Sequence, residues 1–243
     1  MPGNRTAAPP RAPRRILVID VGGAHVKFRL DARGRVGKFA SGPKLGPGHM
    51  VRKVLKRTVG VRYEAVSLGY PGLVLHGRIA GEPHNLAPGW VGFDFAAAFG
   101  KPLRIVNDAA MQAIGSYRGG RMLFLGLGTG LGATLIIDGV VEPTEIGHMP
   151  YKRGRTFEDF VGERGRRRLG TRAWRKAVAD VVGQLRLVLE ADYVVLGGGN
   201  AERLKKLPPG TRRGDNRNAF IGGVRLWRTH GGPFGRAGVP VRR

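Results

Sequence analysis

Two stretches of this chain share one local plan: a short apolar run, a glycine-rich turn, and a second apolar run heading back. The first is Ile16-Leu-Val-Ile-Asp20, then Val-Gly-Gly, then the alternating Ala24-His-Val-Lys-Phe-Arg-Leu30. The second is Met122-Leu-Phe-Leu-Gly-Leu-Gly-Thr-Gly130, then Leu-Gly-Ala-Thr-Leu-Ile-Ile137. Short apolar runs bounded by glycines read as strands meeting tight turns. A plan repeated in each half restricts the fold to two related α/β lobes, each opening with a hairpin, that close on a cleft with the turns facing each other.

The segments between fill in that outline. VGKFASG reads as a third strand, and residues 47–59 as a helix with Pro47 at its start and Met50, Val51, Val54 and Leu55 in an apolar stripe. AVSLGYPG is a strand, LVLHGRIAG a hairpin arm, LRIVND a strand ending in two polar residues, and AAMQAIGSYRG a helix. In the second half, LGATLIIDGVV is a strand with a tight Asp-Gly turn, and two helices follow over roughly 156–169 and 171–190. YVVLGGG is the last strand, and a helix begins at NAERLKKL with Asn200 as its cap.

Composition narrows the partners. The chain has 243 residues and no cysteine, which excludes disulfides and thiolate metal sites. With 42 Lys and Arg against 17 Asp and Glu the net charge is +25, a field that concentrates polyanions: polyphosphate, or the less favoured nucleic acid. The same charge also fits a solvated arginine-rich surface. No run approaches the roughly 20 apolar residues of a membrane helix, and the Pro- and Arg-rich opening lacks a signal-like apolar core, so a cytoplasmic protein is expected. Residues 1–15 and 228–243 read as basic tails, the first disordered, with one lobe over 16–107, joined by a C-terminal helix near 217–227, and the other over 108–216.

Four places carry chemistry. Asp20-Val-Gly22-Gly23 ends a strand with a carboxylate able to hold a hydrated Mg²⁺, beside glycines that admit a phosphate, and Lys27 can add charge; it also reads as a plain hairpin. Gly126-Leu-Gly128-Thr129-Gly130-Leu-Gly132 is a nest of N–H groups for an anion, and no Rossmann turn, because a strand follows it. Asn107-Asp108 offers a general base beside an amide, although Asp108 is equally a favoured helix cap and, taken alone, reads more readily as one. Glu145 and His148 stand three residues apart, able to hold vicinal hydroxyls; His148 lacks companions at metal-ligand spacing. The other histidines (25, 49, 76, 84 and 230) read as surface or loop residues.

The order of these motifs is more specific than any one of them. Asp20-Val-Gly-Gly, Gly69-Tyr-Pro-Gly72, Asn85-Leu…Trp90, Asn107-Asp108, Gly126 to Gly132, Glu145-Ile-Gly-His148 and Leu196-Gly-Gly-Gly199 resemble, in sequence, the ROK-family sugar kinases over residues 16–227. The run from Asp138 to His148 is most similar to the polyphosphate glucokinase branch. The resemblance implies an actin/hexokinase-like (ribonuclease H-like) duplicated two-lobe fold with central mixed sheets and an interlobe cleft. It implies Asp108 as general base, and Asn85, Asn107, Glu145, His148 and Glu158 as holders of a hexose. Thr129, Gly128 and Gly130 would meet the transferring phosphate, and Gly197, Gly198 and Gly199 the donor, polyphosphate or ATP with Mg²⁺. A homodimer is expected, since dimers are common in the family.

The departures are as informative. The family's cysteine-rich zinc motif is absent, so no zinc is expected, and a basic stretch, Lys152 to Arg175, stands in its place. Ala24 replaces a hydroxyl residue usual in the first turn. The residues before 16 are too few for the helix-turn-helix of family repressors, so repressor function is not expected. The expected function is phosphorylation of a hexose, with the 6-hydroxyl of glucose as the expected acceptor, along the Lys27 and 152–175 surface if polyphosphate is the donor. The alternative is a non-catalytic member of similar fold that binds a sugar or nucleic acid and regulates.

Overall fold

A computed structural model describes residues 12–228; the outer parts of both basic tails, and His230, lie outside the described residues. Arg14 and Arg15 are already tied down, through Arg14 N–H to the Glu64 carboxylate at 2.9 Å and Glu64 N–H to the Arg15 carbonyl at 2.8 Å.

The first half builds a five-stranded sheet. β1 (Ile16–Val21) is buried along its whole length and pairs antiparallel with β2 (His25–Leu30), which pairs with β3 (Val36–Ala40). α1 (Pro47–Arg57) crosses over to β4 (Ala65–Tyr70), which runs parallel to β1. A small hairpin, β5 (Val74–Leu75) with β6 (Arg78–Ile79), and α2 (Phe95–Phe99) lead to β7 (Leu103–Asn107), parallel to β4. The strand order is β3-β2-β1-β4-β7.

After α3 (Asp108–Ser116) the second half repeats this order. β8 (Arg121–Leu127), β9 (Leu131–Ile137) and β10 (Val140–Thr144) form an antiparallel meander. A 3₁₀ turn (Ile146–His148), the hairpin β11 (Pro150–Lys152) with β12 (Arg155–Thr156), α4 (Phe157–Val161) and α5 (Glu163–Val188) precede β13 (Tyr193–Gly197). β13 is parallel to β8, and after a 3₁₀ turn (Gly199–Arg203) β14 (Thr211–Arg213) is parallel to β13. The order β10-β9-β8-β13-β14 matches the first sheet strand for strand. The duplicated two-lobe fold expected from the two hairpins is the fold found.

Two expected elements differ, and one expected boundary is found as a break. The helix over 156–169 is interrupted at Gly162, which lies extended at φ −72° and ψ 178° and where a side chain would stand 2.8 Å from the Thr129 carbonyl. α5 itself breaks at Gly170, at φ 72° and ψ 160°, where the second expected helix begins. No helix grows from Asn200; the cap position is Gly198, and only a 3₁₀ turn follows. The strand β14 has no apolar alternation to announce it.

Each sheet has its own outer core: α1 and α2 cover the first, α4 and α5 the second. Between the sheets lies a third core, with Ile16 and Val18 from one and Met122, Phe124 and Ile136 from the other around α3 and α6 (Asn218–Arg228). α3 and α6 cross without side chains between them, since a Cβ on Gly115 would strike the Asn218 carbonyl and one on Gly222 the Met111 carbonyl. Ser67 Oγ donates to the Gly223 carbonyl at 2.6 Å and accepts from Trp227 Nε1 at 2.8 Å, which ties α6 to β4. The Arg225 guanidinium donates to the Ile114 carbonyl at 2.7 Å and Arg212 to the Ser116 carbonyl at 2.6 Å, satisfying the C-terminal carbonyls of α3. The helix that starts at Asp108 is thereby held at its far end.

Candidate active site

α3 begins at the carboxyl end of β7, where the sheet stops and the helix must be capped. Asn107 does the capping: its Oδ1 accepts from Ala109 N–H at 2.9 Å and Ala110 N–H at 3.2 Å. Its Nδ2 donates to the Gly72 carbonyl at 3.1 Å, leaving one amide hydrogen for anything else. The alternative role of Asp108 as cap therefore falls to its neighbour. Asp108 is the first helical residue, accepting from Ala109 N–H at 2.8 Å.

Two glycines bring other elements onto this point. A side chain on Gly69 would collide with the end of Met111 and reach within 3.6 Å of Asp108 Cα, so β4 passes directly beneath the helix start. A Cβ on Gly132 would lie 2.9 Å from that of Ala109, so the second glycine hairpin sits against the same turn. Asp108 stands where β4 and the second glycine hairpin meet the helix start.

The electrostatics follow from that crowding. Burial pushes the Asp108 carboxyl up to about 7, the Asp20 carboxylate pushes it further the same way and Glu145 adds a little, against the pull of the amides at Ala109 and Asp108 itself. Burial likewise lifts Asp20 to about 6, with Lys27 opposing; the two face each other across the β1–β2 ladder. Among the described residues no group of three or more His, Cys, Asp and Glu could hold a metal alone. Two carboxylates, Asp20 raised by burial and Asp108 by burial and then by Asp20, nevertheless suit a hydrated divalent cation whose remaining ligands are water or phosphate.

The expected sugar ligands are placed by three separate contacts. Asn85 lies 3.8 Å from where a Cβ on Gly23 would be, at the first glycine turn. Glu145 and His148 form a 3.6 Å pair that is largely exposed, on a 3₁₀ turn seated against β9, because a side chain on Gly147 would come 2.6 Å from the Leu131 carbonyl. Glu158 reaches the second glycine turn, where its Oε2 accepts from Leu131 N–H at 3.0 Å and a side chain on Gly130 would strike it. Gly198, at φ 78°, packs on the Leu127 carbonyl and brings the third glycine turn, Gly197–Gly199, beside the second. Next to it an open pocket of about 440 Å³ is lined by Ala201, Glu202, Arg213, Asp215 and Arg217 among others.

The basic stretch expected as a polyanion surface is partly committed elsewhere. Lys152 pairs with Asp180 at 2.6 Å, Arg166 and Arg167 with Glu163 at 2.7 and 2.8 Å, and Arg175 donates to the Arg203 carbonyl at 2.6 Å. Sequence reasoning passed over Glu82. Its carboxylate accepts from Gly89, Trp90 and Val91 N–H at 3.0, 3.1 and 3.2 Å, which closes the loop carrying Asn85; burial, the largest single influence, pushes its carboxyl up, and the three amides together hold it below the usual range. Its donors are backbone amides, which no residue type announces.

No family model matches the chain. It is 30% identical over 164 residues to kanosamine kinase from Amycolatopsis mediterranei (strain S699), an alignment covering 57% of this chain and 53% of that one, about half its length. It is 25% identical over 213 residues to polyphosphate glucokinase from Mycobacterium tuberculosis, covering 79% of this chain and 80% of that one. Among solved structures, an inorganic polyphosphate/ATP-glucomannokinase from Arthrobacter sp. strain KM superposes with a TM-score of 0.74 at 22% identity, covering 88% of this chain and 98% of that one. A ROK family glucokinase from Streptomyces griseus, in complex with glucose and AMPPNP, gives 0.72 at 16% identity, covering 88% and 99%.

Proposed function

We propose that this chain, a relative of the ROK-family sugar kinases, transfers a phosphoryl group to a hexose hydroxyl with Asp108 as general base. The observation that carries the reading is the state of Asp108: next to a cap supplied by Asn107, packed where β4 and the second glycine hairpin meet, and raised to about 7. A base poised near neutral pH can take a hydroxyl proton and hold it while the new bond forms.

In the step proposed, the sugar oxygen forms a bond to the terminal phosphorus of the donor as the bridging P–O bond breaks. The proton goes to the Asp108 carboxylate, and the shortened phosphate chain leaves with the bridging electrons. Asn85, Glu145, His148 and Glu158 hold the hexose hydroxyls, with the remaining amide hydrogen of Asn107. The backbone N–H groups of Gly23, Thr129 and Gly130 meet the phosphates with Lys27, while Gly22 and Gly128, whose N–H groups are donated to the His25 and Gly130 carbonyls, give the phosphates room, and Gly197 to Gly199 meet the rest of the donor. Mg²⁺, when bound, neutralises charge on the phosphates, and Asp20 is the residue to hold it, through water.

For the donor, the net charge of +25 and the polyphosphate glucokinase relative favour polyphosphate, and the pocket beside Gly198 favours ATP. For the acceptor, glucose is the first sugar to test and kanosamine the second, because of the kanosamine kinase relative. The deciding experiment measures phosphorylation of each sugar with each donor, in wild type and Asp108→Asn. Turnover should vanish in the variant with sugar binding retained; full activity there overturns the assignment. Tight RNA binding with no turnover on any hexose would favour a regulatory sugar- or nucleic-acid-binding role instead.

A further inference from the structure

The two donor-side glycine turns come from distant parts of the chain. Parallel pairing of β8 with β13 brings them side by side, but the ladder ends at Gly126 and Gly197. Beyond that point one side chain joins them. Asn200, 8% exposed, donates from Nδ2 to the Gly128 carbonyl at 3.2 Å and to Glu163 Oε2 at 3.1 Å. Its own Oδ1 accepts from Arg203 Nε at 3.3 Å, so both ends of the amide are engaged.

Glu163 completes the brace from α5. Its backbone N–H is shared between the Gly128 and Thr129 carbonyls at 3.0 and 3.2 Å. Its carboxylate is aimed by Arg166 at 2.7 and 2.8 Å and by Arg167 at 2.8 Å, which hold it far below the usual carboxylate range. In a trans peptide the carbonyl and the following N–H point in opposite directions. With the Gly128 and Thr129 carbonyls drawn back toward Asn200 and Glu163, the N–H groups of Thr129 and Gly130 point away from the brace.

We propose that Asn200, oriented by Glu163, is a positioning residue that holds the Gly128–Gly130 turn against the Gly197–Gly199 turn, so that affinity for the phosphate donor depends on it and affinity for the sugar does not. The inference rests on the phosphoryl-transfer reading above and deepens its donor side.

The test uses the full chain with Asn200→Asp, which keeps the shape, removes the donor to Gly128 and sets a second carboxylate against Glu163. Glu163→Gln serves as a milder variant, keeping an acceptor for Asn200 while losing the charge that Arg166 and Arg167 hold. For Asn200→Asp the donor KM, with ATP and with polyphosphate, should rise about tenfold, the effect of one broken buried hydrogen bond, with the sugar KM within about twofold of wild type. Glu163→Gln should move the same constant in the same direction by less. Hydrogen exchange at Thr129 and Gly130 should speed up in both variants, a readout that needs no turnover. A wild type that turns over no hexose defeats the kinase reading, and the exchange rates then still decide the brace. Unchanged exchange in both variants, or donor and sugar constants rising together, overturns the proposal.

Discussion

Asn107 caps the helix that Asp108 begins, through Oδ1 bonds to Ala109 and Ala110 N–H at 2.9 and 3.2 Å. The pair divides the helix start: Asn107 takes the Ala109 and Ala110 amides as the cap, while the Asp108 carboxylate shares the Ala109 N–H at 2.8 Å. Asn107→Ala should cost about 1 kcal/mol of stability from the lost cap, together with the bond to Gly72. Asn107→Asp should keep most of the cap but set a new charge beside Asp108, moving the acid limb of the kcat/KM profile to higher pH. Thermal unfolding and a pH–rate profile separate the two variants.

Asp108 and Asp20 sit above their ordinary range, at about 7 and about 6, so the folded state binds more protons than the unfolded state between about pH 4 and 7. The slope of stability with pH is then negative in that window: these two groups destabilise the protein as pH rises through it, while activity, which needs Asp108 ionised, rises. Because the carboxylates interact, the apparent values belong to the pair. Asp108→Asn should raise the melting temperature at pH 8, by about 2–4 °C for each ~1 kcal/mol relieved, and leave it little changed at pH 4. A variant that melts lower at pH 8 than wild type would contradict this.

Glu82 holds the Asn85 loop by three amide bonds. Glu82→Gln offers one acceptor where the amides met two charged oxygens, and turns an NH₂ toward them. The sugar KM should rise roughly tenfold, with kcat and the donor KM little affected. Steady-state kinetics with each substrate varied in turn measures the split; an equal fall in kcat would show that the loop acts in the chemical step.

Gly198 and Gly199 are neighbours with opposite tolerance. Gly198, at φ 78°, has no room for a side chain because the Leu127 carbonyl lies in its way, whereas a Cβ on Gly199 meets nothing within 4 Å. Gly198→Ala combines left-handed backbone strain with a backbone collision and should cost more than about 2 kcal/mol; Gly199→Ala should stay within about 0.5 kcal/mol. Denaturant melts of the two proteins give the comparison directly.

Much of the fold was legible because its signals are local. Apolar runs stopped by glycine mark β1, β8 and β13, the Asp138-Gly139 turn marks the β9–β10 hairpin, and the repetition of the plan in each half points to paired lobes. β14 and the β11–β12 hairpin were illegible for the converse reason: three or fewer residues of mixed polarity carry no period, and their pairing with distant strands or the sequence's own turn supplies all their order. The break at Gly162 was hidden too: the Thr129 carbonyl that leaves no room for a side chain there is far away in the chain.

At the candidate site, sequence alone determined which residue types stand at strand ends and in what order: Asp20, Asn107-Asp108, the glycine turns, Glu145 and His148. Only the tertiary structure decided what each is joined to. It assigned the cap to Asn107, set Asp20 near Asp108, bent Glu158 onto Leu131 and Gly130, and turned Asn200 from an expected cap into a strut between two turns. Chain order specifies local conformation through steric and hydrophobic preferences acting within a few residues. Hydrogen bonds and carboxylate fields act over a few ångströms of space, and which distant residues come within that range is settled only when the two sheets close on their shared core.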